Sequence, residues 1–383
     1  TEDCENSEAL IHDLLSLQYV IMRSVAEHKC VPVADVESFV ERCMRAVGTD
    51  QHHCKALAQV LCAADVRGHF THGLHRLEFY VRDIQNGNMQ PQGEPTVEKE
   101  TGPTALVNGN NLLGPVVGNF SMDLAIKKAK EHGVGWVVCK GSTHFGIAGW
   151  YSSKALDHGM IGMSMTNASP AVVPTRALKP TIGTNPISVS APGRGGDSFQ
   201  LDMATSAVAQ GKVEVCKRKG TDIPLGWGVN SKGQETTNPR EVLDEGGGLL
   251  PLGGKEITGG YKGFGLAMMV EVFCGILSGS AFGPHLRKWQ GEEMGKANLG
   301  HCFVAVNPQM FADGFEDRMQ CLMDQYRNME PADGEPAVLV AGDPEREHMR
   351  NVKQDGGIRY HVNILHALND LADRLGVAHL PTS

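Results

Sequence analysis

The sequence predicts an α/β fold in which a sheet-rich middle is flanked by helical segments from both ends of the chain, a discontinuous helical domain beside a sheet domain. Three observations lead there. Apolar residues recur at helical spacing through most of the first 87 positions and again after residue 313. Between them lie short apolar runs bounded by Gly, Pro and Asn, the length and punctuation of buried strands. No G-x-G-x-x-G leaves a strand to open a helix, and Gly133-Val-Gly-Trp136 enters a strand instead, so the common parallel-sheet dinucleotide arrangement is not expected.

Residues 7–28 carry Leu10, Ile11, Leu14, Leu15 and Leu17 ahead of Val20 and Met22, a helical pattern. Pro32 punctuates, Asp35 caps a second helix to Ala46 with Gly48 behind it, and Thr49 caps a third carrying Ala56, Val60, Leu61 and Ala64. A fourth helix is expected at 74–85. A strand at 104–107 and the turn Asn108-Gly109-Asn110 suggest a hairpin. A helix at 121–132, a strand at 135–139, a helix at 151–158 and strands at 160–166, 186–191 and 199–203 follow. A helix at 205–216 begins just after Asp202. Residues 219–260 are rich in Gly, Pro and Asn and too long to be structureless without a functional reason. An apolar helix at 261–277, a strand at 302–306, a helix at 313–328, a strand at 337–340 and a helix at 362–375 close the chain.

At 383 residues there is room for two or three domains, and 41% hydrophobic with 21% charged residues is an ordinary globular balance. The net charge of −9 argues against nucleic acid as a partner, and no run of 18 apolar residues could cross a membrane. The ten cysteines are scattered with no C-x-x-C pair, and the start, Thr1-Glu-Asp-Cys-Glu-Asn6, lacks a basic leader pattern. The cysteine pattern points to reduced thiols in a cytoplasmic setting.

The most chemical stretch is Asp65-Val-Arg-Gly-His-Phe-Thr-His-Gly-Leu-His-Arg76. Glycines 68 and 73 let the chain leave a helix and hold side chains at a cleft. His72 can exchange a proton near neutral pH, and Arg76 can grip a carboxylate bidentately. A proton carrier and a carboxylate clamp on one face suggest work on a small carboxylic acid; surface histidines at a helix end are the plainer alternative. His69, His72 and His75 recur every third residue, but the glycines break the helix that would align them and H-E-x-x-H is absent, so no metal is expected. His144 sits in the glycine-rich loop Gly141-Ser-Thr-His-Phe-Gly-Ile-Ala-Gly149. Asn185 projects from Gly183-Thr-Asn-Pro186, a turn rigidified by proline. Asp202-Met-Ala-Thr-Ser206 resembles a ribose- and phosphate-friendly corner if a helix starts at Thr205 or Ser206, and Lys262 stands among glycines as a possible phosphate contact. Each alone is also an ordinary loop, turn or cap.

In this order, Asp65-x-Arg-Gly-x-x-Thr-His-Gly-x-x-Arg76, Ser142-Thr-His-Phe-Gly-x-Ala-Gly-x-Tyr151, Gly183-Thr-Asn-Pro186, Asp202-x-Ala-Thr-Ser206 and Gly260-Tyr-Lys-Gly-Phe-Gly-Leu266 resemble the malate/L-lactate dehydrogenase family that is unrelated to the Rossmann enzymes. That family also holds L-sulfolactate and ureidoglycolate dehydrogenases, 2,3-diketogulonate reductase and a cyclic ketimine reductase. The resemblance spans about residues 33–376. It implies a cofactor domain built on a largely antiparallel seven-stranded sheet, an NAD or NADP cofactor, and a homodimer or higher assembly. The implied organisation is an extension at 1–30, a helical domain at 31–101, a sheet-rich cofactor domain at 102–258, and residues 259–383 returning to the first domain.

The resemblance makes His72 the proton donor or acceptor, oriented by Thr71 where the family has Ser, with Arg76 and Tyr80 on the substrate. His144 falls on a residue given cofactor contact in one member and acid–base work in another. Asn185, Asp202, Met203, Ala204, Lys262, Gly263, Gly342 and Asp343 fall at the cofactor. The ketimine-reductase branch has Asp where this chain has Lys212, which favours the hydroxyacid branch, and Ala341 replaces a common Pro. The implied reaction moves a hydride between C2 of a 2-hydroxy acid, with malate the leading substrate, and a nicotinamide. A reductase of another 2-keto or cyclic 2-imino acid, or a catalytically silent relative, are the alternatives. The apolar helix at 261–277, with Glu271 as its only acid, needs burial on every side, inside one subunit or against a second.

Overall fold

The computed structural model of the protein describes residues 27–289 and 294–381. The helix expected at 7–28 lies outside the described residues except at its end, where His28 begins a strand.

A helical layer takes both ends of the described chain. Strand His28–Val31 pairs antiparallel with Ile358–His361. Around that pair pack α1 (Val33–Ala46), α2 (Gln51–Val66), α3 (Leu77–Gln85) and the closing helix Val362–Leu375. Phe39, Val40, Leu57, Leu61, Leu77 and Leu368 share one buried core there. Pro32 takes the N-cap of α1, so Asp35 stands in the first turn, where its charge suits the helix dipole. Asp50, not Thr49, precedes α2.

The sheet has seven strands: β1 (Thr96–Thr101), β2 (Thr104–Asn108), β3 (Val134–Ser142), β4 (Ile161–Thr166), β5 (Ile187–Pro192), β6 (Ser198–Met203) and β7 (Leu299–Val306). Their spatial order is β1-β2-β3-β7-β4-β5-β6. Only β2 and β3 run parallel, and α4 (Gly114–His132) makes the crossover that a parallel pair requires. The other neighbours are antiparallel. Asn108-Gly109-Asn110 therefore leads toward α4 and is not a hairpin turn. The hairpin lies at Gly102-Pro103, where Thr101 faces Thr104. Its first strand, β1, is exposed along its whole length and shows no apolar alternation.

α4 and α5 (Ala148–Lys154) cover one face through Val117, Met122, Val137, Tyr151 and Phe303. The other face buries Val138, Met165, Cys302 and Val304 against Val270 and Cys274. Part of the long excursion packs its own small core, with Val213, Ile223, Val242 and Leu249. α6 runs Gln210–Lys219, later than expected. Thr205 Oγ1 donates to the Thr184 and Asn185 carbonyls at 2.9 and 3.0 Å, and Ser206 Oγ to Val208 O at 2.8 Å, so neither hydroxyl caps a helix.

α7 (Gly260–Glu271) continues through a π-turn at Val272–Ile276. Ala267, Val270 and Cys274 face inward, while Tyr261, Met268, Val272, Ile276 and Leu277 are about half exposed. One subunit alone does not bury this helix. No strand forms at 337–340; α8 (Phe315–Arg327) precedes that segment and α9 (Asp343–Asp355) follows it.

Candidate active site

The site begins with the C-terminal end of α2. Gly68 turns the chain at φ +82, and the segment then makes two 3₁₀ turns, Phe70–His72 and Leu74–Arg76, in place of a resumed α-helix. Asp65 organises them from beneath. Its buried Oδ2 accepts from Leu74 N at 2.9 Å and from the Tyr360 hydroxyl at 2.7 Å. Burial pushes the carboxyl up to about 7. A Cβ on Gly73 would stand 1.7 Å from Asp65 Oδ1, so only glycine fits there.

Thr71, His72 and Arg76 emerge together. Thr71 Oγ1 lies 2.9 Å from His72 Nδ1, so threonine keeps the hydroxyl contact expected of serine. Its methyl packs on α6: a Cβ added at Gly211 would lie 2.6 Å from Thr71 Cγ2. Arg76 is 6% exposed; its Nε donates to Thr71 O at 2.8 Å and its Nη2 is 3.6 Å from Glu214 Oε2. Burial, then Arg76 and His69, push His72 down to about 3, so its imidazole is neutral at physiological pH.

His144 joins them from the loop after β3. Its ring stacks on His72 with centroids 5.8 Å apart and planes 19° from parallel. Tyr80 Oη lies 2.6 Å from His144 Nδ1, and Gly146 N donates to the same atom at 3.3 Å. Burial, with His72 and Arg76 nearby, holds His144 well below the usual histidine range. Tyr80 is fully buried and absent from the cleft wall; it acts on His144 and is not placed to touch a substrate directly.

These groups open into a cleft of about 1400 Å³. In a chain of net charge −9, seven cationic side chains line it against four acids. Among the described residues Lys179, Lys212 and Arg218 carry no ion pair. Such a cleft attracts anions. Its volume exceeds the roughly 300–1,000 Å³ of an ordinary ligand pocket, enough for a dinucleotide and a small acid together.

Asp202, Met203 and Ala204 line the same cleft. Asp202 is the next-to-last residue of β6 and its Oδ2 accepts from Gly149 N, inside the first turn of α5, at 2.6 Å. Burial raises its pKa, opposed by His69 and Arg67.

Five expected cofactor residues stand elsewhere in the chain. Asn185 is buried with φ +36, and its amide is spent on Ala168 N, Ala267 O and Glu271 Oε1. Lys262 is exposed on α7, with its ammonium 5.9 Å from the Tyr261 ring centroid. Gly263 lets α7 approach Leu252, whose carbonyl would lie 2.2 Å from an added Cβ. Gly342 turns at φ +100, and the Asp343 carboxylate is held by Arg327 at 2.8 and 3.0 Å and by Arg346 at 2.6 Å. None of these lines the cleft of the single chain.

Comparison with known proteins accounts for the combination of this sheet and this loop. The chain matches the malate/L-lactate dehydrogenase family over residues 31–369. It belongs to that family. Malate dehydrogenase of Pyrococcus abyssi is 39% identical over 353 residues, covering 91% of this chain and 96% of that protein. L-sulfolactate dehydrogenase of Methanocaldococcus jannaschii is 35% identical, covering 87% and 94%. The crystal structure of malate dehydrogenase from Entamoeba histolytica superposes with a TM-score of 0.87 at 32% identity, covering 92% and 99%. The protein is thus a nicotinamide-dependent dehydrogenase of the hydroxyacid type, and its largely antiparallel sheet replaces the Rossmann arrangement.

Glu214, Asp83, Arg287 and Trp289 also stand at the site, outside every motif singled out in the sequence. Glu214 sits one turn beyond the α6 start, and Asp83 follows Tyr80 at helical spacing, so helix periodicity could have placed both near the site. Nothing local marks Arg287 or Trp289.

Proposed function

We propose that this chain interconverts (S)-malate and oxaloacetate with NAD or NADP. The carrying observation is a half-buried, neutral imidazole, His72, beside a buried guanidinium, Arg76, on the wall of a cleft with excess positive charge. During oxidation His72 takes the hydroxyl proton, and Thr71 Oγ1 at Nδ1 orients the ring so that Nε2 is left for that transfer. During reduction the same proton returns. Arg76 holds the C1 carboxylate, fixing which face of C2 reacts. The bound cofactor supplies and accepts the hydride. Asp202 is the group suited to a ribose hydroxyl, with Met203 and Ala204 beside it.

A second anionic group on the substrate suits Lys212 and Arg218, both on α6. That supports a dicarboxylate over a monocarboxylate; a sulfonate in the distal position is the alternative, in line with the sulfolactate dehydrogenases among the relatives. In this reading residues 31–101, with 259–383, supply the proton carrier and carboxylate clamp, and 102–258 hold the cofactor.

We infer that the enzyme acts as a homodimer in the cytoplasm. The half-exposed apolar face of α7 supports the first statement, and the buried, unbridged thiols of Cys43, Cys54, Cys62, Cys139, Cys274 and Cys302 support the second. No described helix is long and apolar enough to cross a membrane.

The test follows nicotinamide absorbance with oxaloacetate, sulfopyruvate and pyruvate, each with either reduced cofactor. Oxaloacetate is expected to give the highest kcat/KM. A higher value for sulfopyruvate replaces the substrate, and turnover of none overturns the reading.

A further inference from the structure

Tyr80 and Asp83 lie three residues apart on α3, hence on one face, and both reach His144. Tyr80 does so directly, at Nδ1. Asp83 works through Trp289: its buried carboxylate accepts from the indole Nε1 at 3.0 Å, from Arg287 Nη2 and Nη1 at 2.7 and 3.1 Å, and from Asn88 Nδ2 at 3.2 Å. The main chain of Trp289 is tied as well, its N–H donating to Ser169 Oγ at 3.1 Å and its carbonyl accepting from Arg82 Nη2 at 2.8 Å. The indole thus held lies on the His144 ring, centroids 4.1 Å apart and planes 17° from parallel. The His72 ring also lies against His144, and all three side chains line the cleft.

We propose that Trp289, clamped by Asp83, is a positioning residue for the acid–base site: it holds the plane of His144 in one orientation, with the ring proton on Nε2, and keeps water from the His144–His72 stack. The division of labour follows from the donors. An amide N–H can only donate, so Gly146 N marks Nδ1 as the lone-pair side, and the Tyr80 hydroxyl donates to that atom too. The neutral ring then carries its proton on Nε2. These two donors decide which way the ring is flipped, and the indole decides its plane.

Removing the indole has a consequence at His72. The titratable and charged groups acting on His144 among the described residues are His72, Arg76, Tyr80 and His301. The cations among them oppose its protonation, and burial opposes it more. Water in place of the indole relieves the burial, so His144 gains a proton at higher pH than before. An imidazolium stacked on His72 makes that base weaker.

The effect on turnover rests on the dehydrogenase reading, whereas the ring tautomer does not. Trp289→Leu and Trp289→Phe in the full chain test it. Trp289→Leu is expected to lower kcat about tenfold or more, with substrate KM changed less than about threefold, and to raise the acid limb of the kcat–pH profile toward the ordinary histidine value of about 6.5. Trp289→Phe keeps a ring on His144 but loses the bond to Asp83, and its profile is expected to fall between those of the parent and the Leu variant. Nitrogen NMR of the parent enzyme is expected to show His144 protonated at Nε2 and bare at Nδ1. A Leu variant with the parent kcat and profile overturns the proposal, as does a proton on Nδ1. If the Leu variant does not fold, the Phe profile and the NMR spectrum decide. An inactive parent would fail the dehydrogenase reading and leave the NMR result to decide the tautomer.

Discussion

Arg76→Lys keeps the charge at the clamp and removes its geometry. Arg76 Nε donates to the Thr71 carbonyl at 2.8 Å, and Thr71 in turn contacts His72 Nδ1. Lysine has no donor at that position, so the carbonyl loses its partner, a loss of about 1 kcal/mol. A substrate carboxylate would keep one charge-assisted hydrogen bond where the guanidinium offers two, a further loss of about 2 kcal/mol. Together that is about 3 kcal/mol, or roughly two orders of magnitude in kcat/KM at about 1.4 kcal/mol per decade. The clamp and the His72 loop share Arg76, so KM for the acid rises and kcat falls, while cofactor affinity stays put. Steady-state kinetics with varied 2-keto acid at saturating cofactor measures the first two, and a fluorescence titration the third. A kcat/KM within about threefold of the parent would refute the reasoning.

His72→Asn should lower kcat about a hundredfold or more without weakening cofactor binding, the usual scale for a lost acid–base group; a mild effect here with a severe one in His144→Asn would exchange their roles. His72 must be neutral to accept a proton, and its site pushes it down to about 3. The acid limb of kcat/KM for hydroxyacid oxidation, which reports the free enzyme, should therefore fall well below 6.5, activity being lost only as pH drops through that lower value; a limb at 6.5 or above contradicts the burial argument. Gly211→Ala would press a methyl against Thr71 Cγ2 and Cβ, at 2.6 and 2.8 Å, and should reduce activity about tenfold or more; Thr71→Ser in the same chain removes Cγ2 and should restore part of it, measured as kcat in a double-mutant cycle. Met268→Asp, at a half-exposed position on α7, should shift sedimentation toward monomer, and an unchanged assembly would take that face out of the interface.

Features encoded within a few residues were legible in the sequence. Thr71, His72 and Arg76 share one loop that Gly68 and Gly73 make possible, and the apolar runs of β3, β4 and β7 announce buried strands wherever they lie in the sheet. Resemblance added the strand count and the antiparallel pairing that periodicity alone does not specify. The structure decided what depends on distant partners. β1 has six exposed residues and no periodic signal; pairing with β2 makes it a strand. Thr205 and Ser206 have the chemistry of helix caps, but nearby carbonyls take their hydroxyls and delay α6 to Gln210. Asn185 has the chemistry of a ligand contact, but packing turns its amide into the core. Tyr80 reaches His144 across 64 positions, and Trp289 reaches Asp83 across 206. Helix periods, caps and turns arise from contacts a few residues long, so sequence spacing carries them. The orientation of His144 arises from a stack and a carboxylate clamp that exist only once α3, the loop after β3 and the segment before β7 have packed together.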